Sequence, residues 1–192
     1  GETNFNNRTF ESLTWAAGIA AATKYSTIFS TVHAPLMHPV AVAKMTSTID
    51  HISNGRFALN VVAGWFKNEF EMFDAELREH GERYAYAAEW IEVIKRLWSA
   101  EEAFDFDGHF FQGTNLWSQP KPLQLPRPPI MNAGSSSAGQ DFSVRHADMN
   151  FVMLRQQDNE IDAAQISQLK TLAADRGRSS QCWIHVYVVC RD

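Results

Sequence analysis

The chain has 192 residues, 45% hydrophobic and 20% charged, an ordinary composition for a globular protein that can bury a sizeable core. Its formal net charge of -5 argues against a nucleic-acid footprint, which needs a basic patch. No segment approaches the roughly 18 apolar residues of a membrane span, and no run of like charges is present.

The opening G-E-T-N-F-N-N carries neither a basic region nor an apolar stretch, so no signal peptide is expected. Residues 8–23 read as a helix with Phe10, Leu13, Ala17 and Ala20 on one face. A strand over 26–33 follows. Residues 39–52 read as a helix, with Pro39 in its permitted first turn and Asn54-Gly55 as its stop. Residues 56–62 read as a strand, 67–73 as a short helix and 80–99 as a long one. Then the period changes to two: A-F-D-F-D-G-H-F-F-Q alternates around Asp107-Gly108, the strongest hairpin signal in the chain. Five of the seven prolines fall between Pro120 and Pro129, which reads as extended chain over the surface. Strand 129–133, helix 137–147, strand 149–154, helix 158–175 and strand 182–190 complete the series. Cys182 and Cys190 fall on that last strand, roughly 26 Å apart if extended, which is too far for a disulfide. Two reduced thiols fit a cytoplasmic protein.

Strands alternating with helices imply a parallel sheet with right-handed crossovers, in an α/β single domain over 1–192. Five core strands and one inserted hairpin, about 103–113, are expected. A closed (β/α)8 TIM barrel typically needs about 250 residues. An incomplete barrel is therefore expected.

Ligands in such folds sit beyond the carboxyl ends of the strands. Asn60 is the one strongly polar residue within its strand, and Gly64, Trp65 and Glu69 follow on the next loop. Met131-Asn132-Ala133-Gly134 ends a strand, and Ser135-Ser136-Ser137-Ala138-Gly139 opens a helix. Free N–H groups and the positive end of the helix dipole there suit a phosphate. An N-capping serine in a flexible turn is the plainer alternative. Arg83 could fork onto a phosphate, with Tyr84 beside it, or lie solvated at a helix start. Thr31 and His33 point to one side of their strand, as do His185 and Tyr187. No metal-ligand spacing is present.

Several segments in order resemble one family. They are T-F-E-S-L-T-W-A-A-G-I-A-A-A-T-K (9–24), H-P-V-A-V-A-K-M-T-S-T-I-D (38–50), the stretch 48–70 around Asn60, E-H-G-E-R-Y (79–84) and P-K-P-L-Q-L-P-R-P-P-I-M-N-A-G-S-S-S-A-G (120–139). Together they resemble the bacterial-luciferase-like, flavin-dependent monooxygenases, and among these the dimethylsulfone and pyrimidine-ring-opening types. Against that pattern the chain begins before the third barrel strand and stops after the seventh.

The resemblance implies a two-component enzyme that uses reduced FMN and O2 to oxygenate a small sulfone, sulfonate or nitrogen heterocycle. It implies FMN phosphate on Gly134, Ser135 and Ser136, with Arg83 and Tyr84 at the phosphate and ribityl region. Asn60 and Thr31 would face the flavin ring, and Glu69 would hold the ribityl hydroxyls or its own loop. Trp65 would wall the substrate pocket. His33 and His185 are the candidate catalytic side chains. In alkanesulfonate-oxidising relatives a histidine stands at a place like that of His185, with arginine where this chain has Trp183. Implied partners are an NAD(P)H:flavin reductase and further copies of the chain. A deazaflavin-dependent oxidoreductase and a truncated, non-catalytic flavin binder remain alternatives.

Overall fold

The computed structural model describes residues 9–153 and 159–184. Five parallel strands form one sheet in the order β1-β2-β5-β6-β7: β1 Ile28–His33, β2 Phe57–Val62, β5 Ile130–Asn132, β6 Met149–Val152 and β7 Gln181–Ile184. The helices are α1 Ser12–Ala22, α2 Pro39–Ser53, α3 Lys67–Met72, α4 His80–Ser99, α5 Ser137–His146 and α6 Asn159–Ala174. Strands β3 (Phe104–Asp107) and β4 (Gln112–Leu116) pair as a separate antiparallel ribbon. The α/β parallel order expected from the alternating pattern is therefore present.

Side chains on a strand alternate between faces. On β2, Phe57, Leu59 and Val61 are fully buried, whereas Asn60 and Val62 are only partly covered. Complete burial of each large apolar side chain contributes roughly 1.5–3 kcal/mol. Trp90, Ile91, Ile94 and Leu97 of α4 belong to the same buried core. Two indoles fix the position of α4: Trp90 Nε1 donates to the Met37 carbonyl at 2.7 Å, and Trp98 Nε1 donates to the Ala43 carbonyl at 3.3 Å. The sheet also curls. Phe29 on one edge strand and Trp183 on the other meet edge-to-face at 5.5 Å, although four interstrand steps in a flat sheet span roughly 19 Å.

Two local expectations change. The first helix starts at Ser12 because the Glu11 carboxylate caps it, accepting from Leu13 N–H at 2.9 Å and Thr14 N–H at 2.6 Å. Its buried face is Leu13, Ala16 and Ala20, while Phe10 lies outside, exposed and stacked on Trp15 at 4.9 Å. The ribbon does not turn tightly at Asp107-Gly108. It passes through Gly108–Phe111 and continues to Leu116, because the Glu89 carboxylate on α4 accepts from the N–H groups of His109, Phe110 and Phe111 at 3.0, 2.8 and 3.3 Å. The last strand is described only to Ile184, so Cys190 and the rest of the strand reading to 190 lie outside the described residues.

Buried polar anchors replace regular pairing in the proline-rich segment. Asp50, fully buried near the end of α2, accepts from Leu123 N–H at 2.7 Å, Gln124 N–H at 3.1 Å and Gln124 Nε2 at 2.7 Å. Asp50→Ala leaves those donors without an acceptor. It should lower unfolding free energy by about 2–4 kcal/mol in urea titration; a loss under 1 kcal/mol would contradict this anchoring role.

Asp148 receives Arg127 on both oxygens, at 2.6 and 2.9 Å, and Ile130 N–H at 2.9 Å. Burial pushes its carboxyl up, but these bonds and the Arg127 and Arg178 charges outweigh burial and hold it below the ordinary value. Burial first, then the charges of Lys95, Arg178 and Arg145, push His146 down from 6.5 to about 4. Folded His146 stays neutral where the unfolded residue protonates. Its contribution is thus full above pH 6.5 and is lost as pH falls toward 4. The Asp148 contribution is present above the ordinary carboxylate value and is lost as pH falls through its lowered folded value. Melting temperature should therefore drop in two stages on acidification. His146→Gln should flatten the upper stage and Asp148→Asn the lower one.

Candidate active site

The carboxyl ends of β1, β2, β5 and β6 point to one side of the sheet, as parallel pairing requires. A cavity of about 270 Å³ opens there between the β2 exit, α4 and the turn before α5. It is lined by Val62–Trp65, His80, Arg83, Tyr84, Asn132–Gly134 and Met153.

Gly64 makes the β2 exit possible. Its φ is +80°, and a Cβ there would lie 2.5 Å from the Phe70 ring. Its carbonyl accepts from Arg83 Nη1 at 2.5 Å, while Arg83 Nε is buried with no protein partner. One arm of the guanidinium thus holds the loop and the rest borders the cavity. Tyr84, one residue on, meets His80 at 5.3 Å and Phe142 of α5 at 5.8 Å.

The turn before α5 is packed backbone to backbone. A Cβ on Gly134 would come 2.6 Å from Gly139 Cα; one on Gly139 would come 2.6 Å from the Tyr84 hydroxyl. Ser136 caps α5, its Oγ accepting from Gly139 N–H at 3.1 Å. The hydroxyl proton of Ser136 therefore remains to donate elsewhere. Gly134 N–H donates to Asn132 Oδ1 at 2.8 Å, so the role of Gly134 is close approach rather than donation.

A second group lies on the β1 and β2 ends. Thr31 and Asn60 are register partners, and Asn60 Nδ2 donates to Thr31 Oγ1 at 3.0 Å. Asn60 Oδ1 is buried without a protein partner. His33 Nδ1 stands 3.6 Å from Glu69 Oε2, which ties the first turn of α3 to the end of β1. Trp65 is 67% exposed at the cavity edge. The cavity thus gathers Trp65, Arg83, Tyr84 and Gly134. Thr31, His33, Asn60 and Glu69 form the adjoining cluster, Ser135 and Ser136 lie on the turn between β5 and α5, and His185 lies outside the described residues.

Sequence reasoning passed over Asn132, Gly139 and, as a ligand-facing residue, His80. Asn132 carries the same signal that singled out Asn60, a polar residue at the end of an apolar strand. Among the described residues, no group of three or more His, Cys, Asp or Glu side chains could hold a metal ion, and no helix is long and apolar enough to cross a membrane.

Residues 1–192 match the family model described as luciferase-like monooxygenase. The chain belongs to this family. Among curated relatives of this luciferase-like chain, the pyrimidine monooxygenase RutA of Serratia proteamaculans (strain 568) is 38% identical over 192 residues, covering 98% of this chain and 52% of that protein. The FMNH(2)-dependent dimethylsulfone monooxygenase of Pseudomonas putida is 34% identical over 184 residues, covering 95% and 49%. The chain spans about half the length of the curated relatives it matches. The fold matches solved structures at lower identity. Long-chain alkane monooxygenase (LadA) gives a TM-score of 0.84 at 24% identity, over 93% of this chain and 46% of that one. DmoA from Hyphomicrobium sulfonivorans gives 0.81 at 21%, over 93% and 43%.

Gly64→Ala forces a side chain into left-handed backbone and onto the Phe70 ring. It should cost about 1–3 kcal/mol in chemical denaturation. Unchanged stability would show that the β2 exit relaxes without this glycine.

Proposed function

We propose that this chain carries the FMN-binding portion of a reduced-flavin, two-component monooxygenase. The observation that carries the reading is the convergence of Arg83 and Tyr84 from α4 with the glycine-serine turn before α5 on one cavity at the carboxyl ends of a parallel sheet. The residues fit a phosphate-bearing flavin. A turn in which Gly134 and Gly139 leave no room for a Cβ lets a ligand approach backbone at a helix start. Buried Arg83 Nε is a donor, and buried Asn60 Oδ1 an acceptor, with no protein partner. Such groups cost free energy unless a ligand or water satisfies them.

In this reading Arg83, Tyr84, Ser135 and Ser136 hold the phosphate and ribityl end, and Gly134 gives it room. Thr31 and Asn60 meet the polar edge of the ring. Glu69 holds the loop by way of His33, which faces the reacting side. His185, outside the described residues, stays the second candidate catalytic side chain. Trp65 and Met153 shape the entrance for a small organic substrate. Reduced FMN would supply the two electrons with which O2 gives one oxygen atom to substrate and one to water. The names of the relatives support a pyrimidine or sulfone substrate, and the FMNH(2) dependence in the name of the dimethylsulfone enzyme supports a separate NAD(P)H:flavin reductase.

The curled five-stranded sheet corresponds in this reading to strands three to seven of an eight-stranded barrel. Further copies of the chain stay the partner that the family resemblance implies.

Anaerobic titration with reduced FMN, and fluorescence quenching with FMN, test the reading. Saturable binding is expected, weakened about tenfold or more by Arg83→Ala, since charge-assisted hydrogen bonds contribute about 1.5–3 kcal/mol. Ser136→Ala should also weaken it. A chain that is folded by circular dichroism yet binds neither form of FMN would overturn it.

A further inference from the structure

Asn132 is the last residue of β5 and is only 2% exposed. The β2–β5 register pairs Leu59 with Ile130 and Asn60 with Met131. One residue further along, the Asn132 side chain takes up the connection. Its Nδ2 donates to the Val61 carbonyl at 2.7 Å, and its Oδ1 accepts from Gly134 N–H at 2.8 Å. One planar amide therefore joins the strand that carries Asn60 to the turn that opens α5. Its orientation is determined by its neighbours: exchanging O and N would set donor against donor and acceptor against acceptor.

This arrangement decides which donors a ligand can meet. Gly134 N–H is engaged by Asn132, and Gly139 N–H is engaged by Ser136 Oγ. Ser137 and Ala138, in the first turn of α5, precede any intrahelical acceptor. Their N–H groups and the Ser136 hydroxyl proton are among the donors left at the helix start. Their distance from Asn60 is set through Asn132, because its amide reaches the backbone immediately after Asn60.

We propose that Asn132 is a positioning residue: it holds the phosphate-facing turn at a set distance from the Asn60 strand and thereby gives the chain its preference for FMN over unphosphorylated riboflavin. The inference rests on the FMN reading above. Asn132 acts through Gly134 and Val61, so its loss should be felt at the phosphate and not at the ring.

The test compares the dissociation constants of FMN and riboflavin for the wild-type chain, Asn132→Ala and Asn132→Asp, together with hydrogen exchange at the Gly134 amide without flavin. The wild type should prefer FMN. Asn132→Ala should lose about tenfold in FMN affinity, the scale of one hydrogen bond in a buried site, with riboflavin changed less than about twofold. Gly134 exchange should quicken by about tenfold or more. In Asn132→Asp a protonated carboxyl copies the amide, donating to Val61 and accepting from Gly134. Its FMN deficit should therefore shrink as pH falls through the aspartate pKa, and the alanine variant should show no such recovery. An alanine variant that keeps the wild-type FMN-to-riboflavin ratio, or loses both flavins equally, overturns the positioning role and leaves the FMN reading standing. A folded wild-type chain with no preference for FMN overturns the FMN reading itself, and the inference with it.

Discussion

Burial of β2 between its two neighbours and in the core it shares with α2 and α4 is the constraint from which the site follows. Phe57, Leu59 and Val61 are completely covered, and a parallel strand with both ladders satisfied has no freedom to slide. A slip of one residue would exchange these side chains with Ala58, Asn60 and Val62 and place an amide in the core. The apolar triplet thus fixes more than stability. It determines that Asn60 faces away from that core, beside Thr31, with an oxygen left over.

The helices transfer this precision to the cavity. Helix α4 reaches the site with its first turn, which by itself would fray. Trp90 and Trp98 prevent it from rotating or sliding, since each indole reaches a specific carbonyl on the segment before α2 or within it. Arg83 and Tyr84 are consequently held where Gly64 leaves β2 and where Gly139 begins to pack. At the opposite end of the sheet, Arg56 performs a similar service. Its guanidinium donates to the carbonyls of Ala20, Thr23, Ser26 and Ser53, which binds the end of α1, the entry to β1 and the end of α2 into one corner. Firm entries give the strands firm exits.

Most elements were legible because their signals are local. The apolar run around Asn60, Pro39 at a helix start and Asn54-Gly55 at its end are each read within a few residues. The misreadings share a cause as well. Asp107-Gly108 has the chemistry of a tight turn, yet Glu89, far off in the chain, collects three backbone N–H groups and opens it into a four-residue loop. Phe10 fits a helical period, yet the Glu11 cap begins the helix after it. In the site, Arg83, Tyr84, Gly134 and Trp65 were visible as residue types in suitable places. Asn132 was not singled out, because one more asparagine at a strand end has no meaning until its two partners are known.

By itself, the sequence determined the parallel α/β order, the end of the sheet at which the cavity opens and the family to which the chain belongs. All three depend on periodicity, turn residues and side-chain type, which are properties of short segments. Only the tertiary structure decided how each polar group is used. Arg83 gives one arm to the Gly64 carbonyl, Gly134 gives its N–H to Asn132, and His33 meets Glu69. A hydrogen bond requires placement to within a few tenths of an ångström. Strands and helices tens of residues apart acquire that placement only when the core between them is packed.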